Sequence, residues 1–197
     1  MGAAMDRTLD RKDAVPALVA DPEDCLIVSG LAGAAKDVAH LTNEGENCYM
    51  LGGAMGAGVP MALGLAFSQP DRRVVAVTGD GDLMMSIGIL STIGVMQPPN
   101  LAILCVDNGH YGETGYQEGH TARGVDLAQI ALGSGIGTVH TVSTEADIPA
   151  ARTALAASNG PAFVWLRVTT APPPAYKRSL DAAERRTIFR RALLGEP

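Results

Sequence analysis

Two short segments carry the residues best suited to chemistry: Thr78-Gly79-Asp80-Gly81-Asp82 and Val106-Asp107-Asn108-Gly109-His110. Each follows an apolar run, Arg73 to Thr78 and Leu101 to Val106, of the unalternated kind expected of a strand covered on both faces. A helical pattern begins directly after the first segment. It therefore sits at the carboxyl edge of a parallel sheet, where helix starts offer unpaired N–H groups to anions. The glycines let a large group approach the backbone, and Asp80 puts a carboxylate at the same spot. That combination makes chemical sense if a divalent cation bridges the carboxylate to a phosphate, since magnesium takes one or two carboxylates plus phosphate oxygens. Taken alone, the segment is equally a Gly-Asp-Gly turn with Asp82 as helix N-cap.

The second segment strengthens the cation reading. Between Gly81 and Asp107 lie 25 residues, enough for one helix and one strand. A right-handed crossover of that length brings Asp80 and the Asn108 amide oxygen to adjacent strand ends, where they can share one hard cation.

The elements that must position these residues alternate. Strand-like runs at Leu26 to Val28, Arg73 to Thr78, Leu101 to Val106, Thr138 to Val142 and Ala162 to Val168 are separated by helical patterns. Those patterns cover Ala34 to Leu41, Gly56 to Ser68, Leu83 to Met96, Leu127 to Leu132 and Glu145 to Ser158. The alternation predicts an α/β fold, a mainly parallel sheet with helices on both faces. Ser68-Gln69-Pro70-Asp71 and Gln97-Pro98-Pro99-Asn100 end helices, and Pro172-Pro173-Pro174 closes the sheet region before a terminal helix over Leu180 to Leu194. The expected organisation is an N-terminal extension or helix over 1–20, an α/β domain over 21–170, and a proline-rich turn with a C-terminal helix over 171–197. The stretch Asp107 to Val125, 19 residues with no clear period, is a candidate functional loop.

Gly-Asp-Gly, about two dozen residues and then an Asn pair resembles the signature of thiamine diphosphate (ThDP) enzymes. The resemblance runs from Leu26 to about Val168 and implies the three-layer α/β/α diphosphate-binding domain of that family. It implies magnesium held by Asp80, the Asn108 side chain and the main-chain carbonyl of His110. Gly79, Gly81 and Asp82 would then lie along the diphosphate. The first Asn of the pair is Asp107 here, a departure that keeps an oxygen acceptor but adds charge. Upstream, Leu51-Gly52-Gly53-Ala54-Met55-Gly56-Ala57-Gly58 reads on its own as a flexible turn into a closely packed helix. Beside the first motif it resembles the family segment that holds the aminopyrimidine ring, with Gly53, Ala54 and Met55 as cofactor contacts. Met55 matches the apolar wedge under the thiazolium, and the Gly53 carbonyl matches the acceptor for the 4′-amino group. Bound this way, the cofactor is the electron sink for decarboxylation of a 2-oxo acid.

Tyr111, Gly112, Glu113 and Thr114 follow the metal ligands and are expected to cover the cofactor. Glu113 is the candidate acid/base and a surface carboxylate is its alternative. His110 and His120 are candidate contacts for a substrate anion, Thr114 and Gln117 for hydrogen bonds, and Arg123 is the loop's one arginine.

Full-length members of the family pair this domain with a second, pyrimidine-binding domain whose glutamate meets the pyrimidine. This chain shows only the diphosphate half. The resemblance therefore implies a separate pyrimidine-binding (α) subunit in a hetero-oligomer and a small-molecule 2-oxo acid substrate, such as a sulfonate- or phosphonate-bearing pyruvate. The alternatives are a small subunit of an acetolactate synthase-type carboligase and a non-catalytic ThDP-binding subunit. A nucleotide-binding Rossmann domain is disfavoured, because no strand leads into Gly-x-Gly-x-x-Gly and no Gly-Lys-Ser/Thr loop occurs.

Composition agrees. The 197 residues carry 15 Lys+Arg against 21 Asp+Glu, a net charge of −6, which argues against nucleic acid or an anionic membrane as main partner. The exception is the group Arg185, Arg186, Arg190 and Arg191, expected to be a solvated face or a subunit contact. Cys25, Cys48 and Cys105 have no metal-ligand spacing and read as reduced core thiols. Met1 to Lys12 is polar, without the apolar stretch of a signal peptide, and no run approaches the roughly 20 residues of a membrane span. A cytoplasmic protein is expected. Asp6 stands where a myristoylation signal after Gly2 wants Ser or Thr, Met5 can be the natural start, and this end is assigned no function.

Overall fold

In the computed structural model, described for residues 7–157 and 159–195, β-branched and aliphatic runs form the strands, as their composition demands. They are β1 (Cys25–Ser29), β2 (Cys48–Met50), β3 (Arg73–Gly79) and β4 (Leu101–Asp107), then the short β5 (His110–Tyr111) and β6 (Gln117–Glu118), then β7 (Thr138–Val142) and β8 (Ala162–Arg167). Six of them pair in parallel in the order β2-β1-β3-β4-β8-β7; β5 and β6 make a separate antiparallel hairpin. The expectations for Met1 to Asp6 and the helix end at Ser158 lie outside the described residues.

The helices are α1 (Arg11–Leu18), α2 (Ala32–Thr42), α3 (Gly58–Ser68), α4 (Asp80–Met84), α5 (Ile89–Met96), α6 (Leu127–Gly133), α7 (Ile148–Ala156) and α8 (Ala182–Leu194). Side chains alternate across a strand, so the sheet buries two cores. One holds Ile27, Val75, Leu104 and Val164 against α1, α2 and α7. The other holds Val28, Ala76, Ile103 and Phe163 against α3, α5, α6 and α8. The result is the three-layer α/β/α architecture. The three cysteines are free and buried, and no helix among the described residues is long and apolar enough to cross a membrane.

Three local expectations need correction. The helix expected from Leu83 to Met96 is two: between α4 and α5 the chain runs in short turns, while the Ser86 hydroxyl donates to the Gly56 carbonyl at 2.6 Å. Asp82 is not a helix N-cap; it lies inside α4, and Gly79 takes the cap position. Arg185 is no solvated face: it is buried, and its Nη2 donates to the carbonyls of Gly45 at 2.7 Å and Cys48 at 3.2 Å, tying α8 to the entry of β2. Strand β2, which periodicity missed, is only three residues long.

Candidate functional site

From β1 the chain runs out to the sheet edge at β2 and returns to β3 on the other side of β1. That reversal opens a crevice at the carboxyl ends of β1 and β3, where open α/β sheets bind ligands. A cavity of about 320 Å³ lies there. Its walls include Leu31 to Ala34 after β1, Gly79 to Asp82 after β3, and Asn108 with His110 to Thr114 after β4. Met55, Pro172 and Pro173 also line it.

Asp80 opens α4 and is 4% exposed. Its Oδ2 lies 3.2 Å from Thr121 Oγ1, whose one proton goes to Asp107 at a shorter distance, and no cation pairs with it among the described residues. Burial, and then the neighbouring Asp107 carboxylate, push its pKa up to about 7. Asp107 is the opposite case. Wholly buried, it accepts from Arg7 Nη2 at 2.9 Å, Thr121 Oγ1 at 2.8 Å, the Gly109 N–H at 2.7 Å and Trp165 Nε1 at 2.8 Å. Four donors occupy it, one of them the ion-paired Arg7, so the extra charge at the family's first Asn position is neutralised inside the fold.

Asn108 lines the cavity, half-buried. Its side-chain oxygen accepts from the His110 N–H at 3.0 Å, which leaves one lone pair for another partner. His110 Nδ1 lies 2.9 Å from the Asn108 carbonyl, which assigns the proton to Nδ1 in the neutral ring. Asp82 lines the cavity but its carboxylate is already used, accepting from the Gly56 N–H and from Thr78 Oγ1 at 2.9 Å. This latch ties the Gly53–Gly58 turn to α4 and needs a bare Gly30, whose Cβ would fall 1.7 Å from Asp82 Oδ2. Gly81 is equally constrained: a Cβ there would lie 2.4 Å from the Tyr111 ring.

The expected residues converge unevenly. Met55, Gly79, Asp80, Gly81, Asp82, Asn108, His110, Tyr111, Gly112, Glu113 and Thr114 line one cavity; Gly53 and Ala54 do not. The Gly53 carbonyl accepts from the Met55 N–H at 3.1 Å. Glu113 stands exposed at the rim. The candidate loop is more ordered than its sequence suggests: β5 and β6 pair, Thr114 Oγ1 donates to Gln117 Oε1 at 2.9 Å, and Gln117 is not on the cavity wall. His120 and Arg123 are also off the wall, and Arg123 faces Glu118 at 3.4 Å on the surface. The cations that do line the cavity, Arg11 and Lys36, were not expected. The spacing of Ala14, Val15 and Leu18 after Arg11 is the amphipathic signal that narrows the N-terminal extension or helix expected over 1–20 to α1.

The donor set suits a hard divalent cation. Asp80 supplies a buried carboxylate lacking a counter-charge, Asn108 an amide oxygen, and both sit at adjacent strand ends. Among the described residues no three His, Cys, Asp or Glu side chains gather as a softer metal would require.

Residues 34–166 match the family described as "Thiamine pyrophosphate enzyme, C-terminal TPP binding domain". The chain is 40% identical over 120 residues to the sulfopyruvate decarboxylase subunit beta of Methanocaldococcus jannaschii, covering 61% of this chain and 63% of that one. It is 35% identical over 147 residues to the phosphonopyruvate decarboxylase of Streptomyces viridochromogenes, covering 75% of this chain and 36% of that one. It thus spans less than two thirds of either relative. The benzoylformate decarboxylase of Polynucleobacter necessarius superposes on 88% of this chain and 36% of its own, with a TM-score of 0.71 and 17% identity, which speaks to the fold alone.

Proposed function

Since the chain belongs to the thiamine pyrophosphate enzymes, through their C-terminal TPP-binding domain, we propose that it is the diphosphate- and magnesium-binding subunit of a two-chain 2-oxo acid decarboxylase. Its substrate is a pyruvate carrying a sulfonate or phosphonate, and its reaction takes up one proton and releases carbon dioxide and the aldehyde. The observation that carries this reading is Asp80: a buried carboxylate with no cation partner, on a cavity wall beside Asn108. Likeness to the sulfopyruvate decarboxylase β subunit and to phosphonopyruvate decarboxylase supports the substrate class and the separate pyrimidine-binding (α) subunit.

Asp80, the Asn108 side chain and the His110 carbonyl would hold magnesium, and the main-chain N–H groups of Gly79, Gly81 and Asp82 would be the donors to the diphosphate. Met55, 38% exposed and on the cavity wall, would be the apolar surface for the cofactor's rings, and Gly53 and Ala54 precede it in the chain. Bound ThDP supplies an electron sink for the carbanion left by carbon dioxide. Tyr111, Gly112 and Thr114 line the cavity and would cover the cofactor, while Glu113 and His110 are the candidate groups for moving the product's proton.

The test combines the purified chain with its pyrimidine-domain subunit, ThDP and magnesium, and follows carbon dioxide and aldehyde release. Sulfopyruvate or phosphonopyruvate should turn over only in the complete mixture. Turnover of pyruvate alone into a condensed hydroxy acid, or no turnover of any 2-oxo acid, overturns the reading.

A further inference from the structure

The domain match begins at residue 34, yet one wall of the cavity comes from outside it. Arg11, the first residue of α1, has a side chain only 5% exposed and still lines the cavity. Its Nε donates to Asp37 Oδ1 at 3.0 Å and its Nη2 to Asp37 Oδ2, so the pair is fixed in orientation. Nη1 takes no part in the bonds to Asp37, which use Nε and Nη2. The guanidinium lies flat on the first turn of α2, where a Cβ at Gly33 would fall 2.6 Å from both Nη1 and Nη2. That turn belongs to an 11-residue helix whose N-cap, Leu31, makes no side-chain cap. No side chain caps its leading N–H groups, and the positive end of the helix dipole lies behind them. Lys36, half-buried a turn further on, lines the same cavity.

We infer that Arg11, Lys36 and the N-terminal turn of α2 form a subsite for a tetrahedral oxyanion, phosphate or sulfonate, built from a helix outside the matched domain. Asp37 orients the guanidinium, leaving Nη1 to meet the anion, and Gly33 keeps room for it. The identity of the anion rests on the function proposed above, which offers two sources of the same chemistry: the cofactor's diphosphate and the substrate's sulfonate or phosphonate. The subsite itself does not depend on that choice.

Calorimetry on the full chain tests this with two probes, inorganic pyrophosphate with magnesium and 3-sulfopropanoate, a sulfonate-bearing acid without the reactive carbonyl. Arg11→Met alone strands a buried carboxylate, so the variant used is Arg11→Met with Asp37→Leu; Lys36→Met is a second variant with no buried partner. Each should weaken one probe by about tenfold or more, as loss of a charged hydrogen bond does, and should flatten its salt dependence. Weakening of pyrophosphate assigns the subsite to the cofactor, and weakening of the sulfonate assigns it to the substrate. If the folded variants bind both probes as the wild type does, or the wild type binds neither, the subsite does not exist. Failure of the proposed function looks different: pyrophosphate bound in an Arg11-dependent way, with ThDP and magnesium not bound.

Discussion

Trp165 on β8 donates its indole N–H to Asp107 on β4 at 2.8 Å, across neighbouring strands at full burial of the carboxylate. Through this bond and Arg7, the residue preceding the candidate metal ligand Asn108 is anchored to the sheet interior. Asp107→Asn should therefore not behave as a neutral swap. The amide presents N–H groups to Arg7 or Trp165 and leaves the guanidinium without its counter-charge, costing about 3 kcal/mol. Urea unfolding of the two proteins measures it, and equal midpoints would show that Asp107 is dispensable.

Asp80 gives a pH dependence of defined sign. Its carboxyl is raised to about 7 in the folded chain, above the ordinary value of 3.8, so the folded state holds its proton more tightly than the unfolded one. Its contribution to stability is full below pH 3.8 and is lost as pH rises through about 7, a loss on the order of 2–4 kcal/mol. Asp80→Asn should make the ligand-free chain more stable at pH 8 and abolish magnesium-dependent ThDP affinity. Denaturation at pH 5 and pH 8, with calorimetry alongside, checks both halves.

Arg11 and Asp37 are buried together, and burial raises the Asp37 pKa despite the opposing Arg11. Breaking one side alone should cost about 3–5 kcal/mol, whereas Arg11→Met with Asp37→Leu should recover most of it. A double-mutant cycle by chemical denaturation gives the coupling; additive single losses would contradict it.

Gly94 on α5 faces α6 so closely that a Cβ would lie 1.8 Å from the Ser134 carbonyl oxygen. Backbone cannot swing aside as a side chain can. Gly94→Ala should destabilise by about 2 kcal/mol or more, although alanine is the better helix former. A melting temperature at or above that of the wild type would refute the close approach.

Much of the fold was legible because buried parallel strands advertise themselves. Arg73 to Thr78 and Leu101 to Val106 are unbroken apolar runs ended by chemistry-bearing residues, and both are strands with one extra residue at the carboxyl end. Strand β2 was not legible, since three residues carry no period, and α4 and α5 merged because the break is made by tertiary bonds from Asp82 and Ser86 to Gly56. At the site, Asp80 and Asn108 were found by spacing. Arg11 was missed because nothing local distinguishes a surface arginine from one whose partner lies 26 positions away.

The amino-acid sequence alone determined the alternation of the longer buried strands with helices, the carboxyl-edge placement of Asp80 and Asn108, and the family, because these depend on local period and on spacing along one crossover. Only the tertiary structure decided which charges are spent and which remain. Asp107 and Asp82 are consumed by internal donors, Asp80 is left without a cation, and Arg11 is brought to the cavity from outside the matched domain. The reason is physical: a side chain's charge state and free valences depend on burial and on partners distant in sequence, which no local pattern encodes.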